Sequence, residues 1–112
     1  MDDVKPPITT IAEAGKHEGE LITLRGWLYN QRESGKLLFP IFRDGSGLMQ
    51  GVVPKNAAPE AFEALKGLTQ ESSVIVTGKV RADQRAPGGF ELDVATVQVL
   101  QRVSEEIGRA HV

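Results

Sequence analysis

The chain has no cysteine, which excludes disulfides and thiolate metal sites and fits a reducing, cytoplasmic setting. Histidine is almost as scarce. His17 sits in a polar stretch and His111 at the very end, and neither stands at a recognisable spacing from a nucleophile or from other metal ligands. The carboxylates are scattered, with no spacing that marks an acid–base pair. Apolar residues make up 40% of the chain but never run long enough to span a bilayer. Met1-Asp2-Asp3 is acidic where a secretory leader is basic. Catalysis, metal binding, membrane insertion and export are therefore not where this sequence points.

What is present is enough for one domain of 112 residues with a small core. The net charge of −2 argues weakly against a polyanion partner, yet the charges are segregated. Residues 1–20 hold five acids and two bases. Residues 24–55 hold Arg25, Arg32, Lys36, Arg43 and Lys55 against Glu33 and Asp44, and residues 79–90 hold Lys79, Arg81 and Arg85 against Asp83. A basic middle between acidic ends permits a nucleic-acid partner, although charge alone also fits an ordinary solvated surface.

Hydropathy alternates over most of the length. Pro6 and Pro7 make an extended lead-in, and Thr10-Ile11-Ala12-Glu13 has a capping residue and an acid three positions on, enough for one helical turn that Gly15 and Gly19 close. Leu21–Arg32 predicts a long strand, Ser34-Gly35 a turn and Lys36–Arg43 a second strand. Asp44-Gly45-Ser46-Gly47 resembles a piece of a phosphate loop. It lacks the lysine, the hydroxyl residue and the helix that would follow, so it is a hairpin turn. Leu48–Val53, ended by Pro54, is the third strand. Ala57–Leu68 predicts the one clear helix, with Phe62, Leu65 and Leu68 on one face and Asn56 as its cap. Ser72–Ala82 and Phe90–Val103 are the fourth and fifth strands, joined by a loop through Arg85-Ala86-Pro87-Gly88-Gly89.

Three strands, one helix and two strands match an all-β five-stranded OB-fold barrel with its helix between the third and fourth strands; a generic α+β sheet is the alternative. Gly26, Gly51 and Gly78 fall inside strands, where a plain sheet loses stability and a sharply bent barrel has a use for them.

An OB barrel binds oligonucleotides across its second and third strands, flanked by the loops after the first and fourth. In the second strand Leu38, Pro40 and Phe42 share one face, and Leu37, Phe39 and Ile41 the other. In the third, Met49, Gly51 and Val53 oppose Gln50 and Val52. Phe39 and Gln50 can thus lie together outside the barrel, with Arg32 at the end of the first strand and Arg85 in the loop after the fourth. Alternation does not decide which face is outside, and a core position is the usual fate of phenylalanine.

The run Gly26-Trp27-Leu28 through Arg32, the aromatic Phe39, and Arg43-Asp44-Gly45-Ser46-Gly47-Leu48-Met49-Gln50 resembles the N-terminal domain of class II aspartyl- and asparaginyl-tRNA synthetases. A second block, Val76-Thr77-Gly78-Lys79-Val80-Arg81 with Ala86-Pro87-Gly88-Gly89-Phe90-Glu91, fits the same domain and looks more like asparaginyl than bacterial aspartyl enzymes. The resemblance covers about residues 8–104, and lysyl-tRNA synthetases share the general pattern. It implies an anticodon-binding domain in which Phe39 stacks on the central anticodon uridine, Gln50 contacts the same base, Arg32 meets backbone or base, and Glu91 helps read the anticodon. Arg25, Lys36 and Arg85 complete the expected nucleic-acid contacts. The implied partner is the anticodon loop of a tRNA, asparagine tRNA first and aspartate tRNA second, in a cytoplasmic parent ligase expected to be a homodimer. No membrane partner is expected. A free-standing OB module for single-stranded nucleic acid or protein is the reading from a different class.

Two departures from the family pattern stand out. Pro40 replaces an aliphatic residue and implies a local irregularity beside the stacking aromatic. Asn30-Gln31 replaces a frequent arginine pair, removing about two phosphate-pairing charges. None of the three class II catalytic motifs occurs in the chain, so no cofactor is expected here, whereas ATP and magnesium are expected of a parent enzyme's catalytic core. Residues 1–105 are expected to form the domain and 106–112 a tail. The tail sequence, Glu106-Ile107-Gly108-Arg109-Ala110-His111-Val112, is the translation of GAGATCGGAAGAGCACACGTC, which contains a common sequencing-adapter start. An open reading frame run into adapter and a natural linker are the two readings of it.

Overall fold

The computed structural model describes residues 6–101; the expected tail at 106–112 lies outside them. Among the described residues, five strands close into a barrel with the neighbour order β1-β2-β3-β5-β4. The strands are β1 (Leu21–Ser34), β2 (Leu37–Arg43), β3 (Leu48–Pro54), β4 (Ser73–Ala82) and β5 (Phe90–Gln101). All pairings are antiparallel except β3 with β5, which is parallel and closes the ring. The expected five-stranded barrel is thereby found, and the alternative of a generic α+β sheet is excluded.

Alternation places the core. Ile22, Leu24 and Leu28 of β1, Leu38 and Phe42 of β2, Met49 and Val53 of β3, Val74, Val76 and Val80 of β4, and Leu92 and Val94 of β5 all point inward and are buried. Helix α1 (Pro59–Lys66) lies between β3 and β4 and buries Ala61, Phe62 and Leu65 against the same core. It is shorter than the expected 57–68, and Asn56 does not cap it. The cap position is Ala58, without a side-chain bond, and Pro59 opens the first turn, where its fixed φ suits the helix and its missing N–H costs nothing. Before β1, a 3₁₀ helix over Ile11–His17 extends the expected turn, with the Thr10 hydroxyl accepting the N–H of Glu13 at 3.3 Å.

The glycines inside strands mark close approach. A Cβ on Gly78 would be driven into the carbonyl oxygen of Asp93, at the point where the β4–β5 register shifts between Thr77 and Gly78. A Cβ on Gly51 would lie 3.0 Å from Phe42 and Val94 side-chain carbons and 3.2 Å from the Pro40 ring, so Gly51 makes room for the buried Pro40. Pro40 does leave an irregularity. The β2–β3 pairing runs from Leu38↔Val53 to Ile41↔Gln50 with no partnered position between, yet the register is the same on both sides. The bulge proper is in β1, between Leu28 and Asn30.

Candidate nucleic-acid interface

The outward face of β1–β2–β3 carries Arg32, Phe39 and Gln50. Because Leu38, Pro40 and Phe42 fill the barrel, Phe39 is turned out, and the expectation of an external aromatic holds at the level of geometry. Phe39 is half-buried rather than bare. Its cross-strand partner Arg32 lays its guanidinium carbon 4.3 Å from the ring centroid. A cation over an aromatic face at this distance is attractive and keeps the ring in place.

Gln50 is next to this pair in space. A hollow of about 80 Å³ is lined by Asn30, Gln31, Arg32, Phe39, Ile41 and Gln50. It opens beside a broader groove of about 420 Å³ where Arg32, Phe39 and Gln50 meet Arg81, Arg85 and Glu91. The structure therefore brings together five of the residues expected from sequence: Arg32, Phe39, Gln50, Arg85 and Glu91. Two others stand apart. Arg25 is exposed at the other end of β1, opposite Ile75 of β4, and Lys36 is in the β1–β2 turn, where its carbonyl accepts the N–H of Lys55. Neither lines the hollow or the groove.

Glu91 is the buried member of the set, 5% exposed. The parallel β3–β5 pairing puts it opposite Gln50, and the antiparallel β4–β5 pairing puts it opposite Arg81. Both carboxylate oxygens are engaged. Oε2 accepts from Gln50 Nε2 at 2.7 Å, and Oε1 accepts from Arg81 Nη2 at 2.8 Å. Arg81 also reaches Asp93 Oδ1 at 3.1 Å. Sequence reasoning missed Arg81 as a site residue. The alternation Lys79-Val80-Arg81 facing Glu91-Leu92-Asp93 was the available signal, but it acquires meaning only once barrel closure sets those two strands side by side.

The Asn30-Gln31 substitution also looks different in three dimensions. Gln31 Nε2 donates to the Leu65 carbonyl at the end of α1, at 2.7 Å, and Asn30 Oδ1 accepts the N–H of Gln31 at 2.9 Å. Gln31 thus ties β1 to the helix. In the loop after β4, Asp83 Oδ1 accepts the N–H of Arg85 at 2.9 Å, which shapes the turn and leaves the Arg85 side chain exposed over the groove. Among the described residues no cluster of histidine and carboxylates is placed to hold a metal. No helix among them is long and apolar enough to cross a membrane.

An external aromatic, a nearby amide and flanking arginines form a surface suited to a stacked base and its phosphates. A profile of the OB-fold nucleic acid binding domain family matches residues 22–100. The chain belongs to that family. Asparagine–tRNA ligase of Koribacter versatilis is 67% identical to this OB-fold domain over 100 residues, 88% of this chain and 23% of that protein. The crystal structure of asparaginyl-tRNA synthetase from Pyrococcus horikoshii superposes with a TM-score of 0.80 at 44% identity, over 87% of this chain and 24% of that one. A putative aspartyl-tRNA synthetase from Leishmania major shares the fold, with a TM-score of 0.77 at 18% identity over 91% of this chain and 22% of that one. The chain thus spans about a quarter of the length of the curated relatives it matches.

Proposed function

We propose that this OB-fold domain reads the anticodon loop of tRNA, as the tRNA-binding part of an asparagine–tRNA ligase. The observation that carries the reading is Phe39, held on the outside of β2 under the Arg32 guanidinium and one strand away from Gln50. Stacking on an aromatic is indifferent to base identity, because every base has a π face, and supplies affinity. An amide beside it supplies discrimination at the base edge. The exposed Arg85 gives the groove positive charge for phosphates, which position the loop without reading it.

The domain supplies binding and no chemistry. ATP, magnesium, the aminoacylation site and the dimer contacts of the parent enzyme reside in the rest of such a ligase, and the setting is the cytoplasm. Asparagine rather than aspartate specificity is supported by the higher identity to asparaginyl enzymes, 44% against 18% among the solved structures. The test is direct binding of the purified chain to anticodon stem-loops of asparagine tRNA, aspartate tRNA and a tRNA without a central uridine. Tighter binding to the asparagine stem-loop is expected. Equal binding to all three would remove the anticodon reading, and a preference for the aspartate loop would transfer it to the aspartyl enzyme.

A further inference from the structure

We propose that Arg81 is a positioning residue that fixes the direction of the Gln50 amide, and through it the preference for uracil over cytosine at the central anticodon base. This rests on the anticodon reading above. The chain of contacts is short. Arg81 Nη2 holds Glu91 Oε1 at 2.8 Å and Asp93 Oδ1 at 3.1 Å, and the other oxygen of Glu91 accepts from Gln50 Nε2 at 2.7 Å.

A glutamine amide has a donor end and an acceptor end that are nearly the same shape, so on its own it can serve either base by turning over. An ionised carboxylate only accepts. With Glu91 in place, the NH₂ end of Gln50 must face it, and the amide oxygen is turned toward the groove with one N–H left beside it. That edge is complementary to uracil, whose N3–H donates and whose carbonyls accept. Cytosine presents an acceptor at N3 and an amino group. To serve it, Gln50 would have to turn over and set its oxygen against the Glu91 carboxylate. Leaving a buried polar group so opposed is costly.

The carboxylate can enforce this only if it stays put. The Glu91 side chain is 7% exposed and in β5 stands between Gln50 on one neighbouring strand and Arg81 on the other. The Arg81 side chain, 51% exposed, reaches in from solvent, and its guanidinium clamps Glu91 and Asp93 together. On this account Glu91 does not touch the base. It transmits the position of Arg81 to Gln50.

The experiment compares wild type, Arg81→Ala and Arg81→Lys for binding to asparagine anticodon stem-loops with uridine or cytidine at the central position, and records the Gln50 side-chain amide resonances in the free proteins. Wild type should prefer uridine, Arg81→Ala should reduce that preference by about tenfold, and Arg81→Lys should keep most of it. The Gln50 amide pair should shift in Arg81→Ala toward the position of a solvent-exposed glutamine. An Arg81→Ala protein that binds both loops more weakly by the same factor would make Arg81 a phosphate contact and overturn the proposal. An unmoved Gln50 pair would overturn it without reference to binding. A wild type that binds neither loop, or both equally, would instead remove the anticodon reading itself, and this inference with it.

Discussion

The guanidinium of Arg32 lies 4.3 Å from the centre of the Phe39 ring, and the two residues are direct partners across the β1–β2 ladder. On the proposed reading the pair is a preformed stacking platform. The cation restrains the ring before any ligand arrives, so less side-chain freedom is lost on binding. Arg32→Ala should therefore weaken binding to every stem-loop, by about 0.5–1 kcal/mol for the lost contact with the ring. If the guanidinium also meets phosphate, the salt slope should fall by about 1. Arg32→Lys should restore the salt slope without restoring the full affinity, because an ammonium does not stack. Titrations at two salt concentrations check this.

Phe39→Ala should leave the fold nearly intact and reduce stem-loop affinity by about 1–3 kcal/mol. Its inward neighbour is the control. Phe42 is 2% exposed, and Phe42→Ala should cost about 3–5 kcal/mol of stability. Thermal unfolding of the two variants should separate them clearly. A Phe39→Ala protein as unstable as Phe42→Ala would place Phe39 in the core.

Asp44 links the β2–β3 turn to the 3₁₀ helix ahead of the barrel. Its Oδ2 accepts the N–H of Ile11 at 2.8 Å, and its Oδ1 accepts from the N–H and hydroxyl of Ser46 at 2.8 Å and 2.6 Å. Partial burial raises its pKa, but the hydrogen bonds from Ser46, Ile11 and Gly47 outweigh this and hold it below the ordinary 3.8. A folded-state pKa below the unfolded one means that Asp44 stabilises the protein above the unfolded value and loses that effect as the pH falls through the folded one. Urea midpoints measured from pH 6 down to about pH 2 should show Asp44→Asn less stable than wild type at the upper end. The difference should close below about pH 4. A difference that stays constant with pH would mean the carboxylate charge has no part in it.

Gly78→Ala should destabilise by about 1–3 kcal/mol, since the added methyl meets the Asp93 backbone rather than a movable side-chain tip. Gly45, at φ 91° in an open turn, offers a contrast. Alanine there meets no atom and is penalised only by backbone strain. Denaturant unfolding of both variants measures the difference.

Much of this arrangement was legible in the residues. Period-two alternation located the strands and divided β2 into its two faces, and Gly-rich turns marked the hairpins. The helix start was misread because Asn56 is a good capping residue in isolation, whereas Pro59 with the buried Ala58 sets where the first turn can begin. The outward direction of Phe39 needed either the family resemblance or the barrel, because alternation defines two faces without naming the inner one. Arg81 was not legible at all as a site residue. Its partnership with Glu91 depends on β4 and β5 lying side by side, and that of Glu91 with Gln50 on β5 running parallel to β3, which no local pattern reports.

The central claim is that Phe39 and Gln50 together read one anticodon base, and it is tested most directly by the ratio of affinities for asparagine stem-loops with uridine or cytidine at the central position. Phe39 accepts either pyrimidine, so Phe39→Ala should weaken both complexes and largely keep the ratio. Gln50→Ala should lower affinity less but bring the ratio close to one, a loss of about 1–3 kcal/mol of discrimination. Arg85→Ala should weaken both loops alike. A Gln50→Ala protein that retains the wild-type preference for uridine would contradict the account and move the reading of that base to another residue.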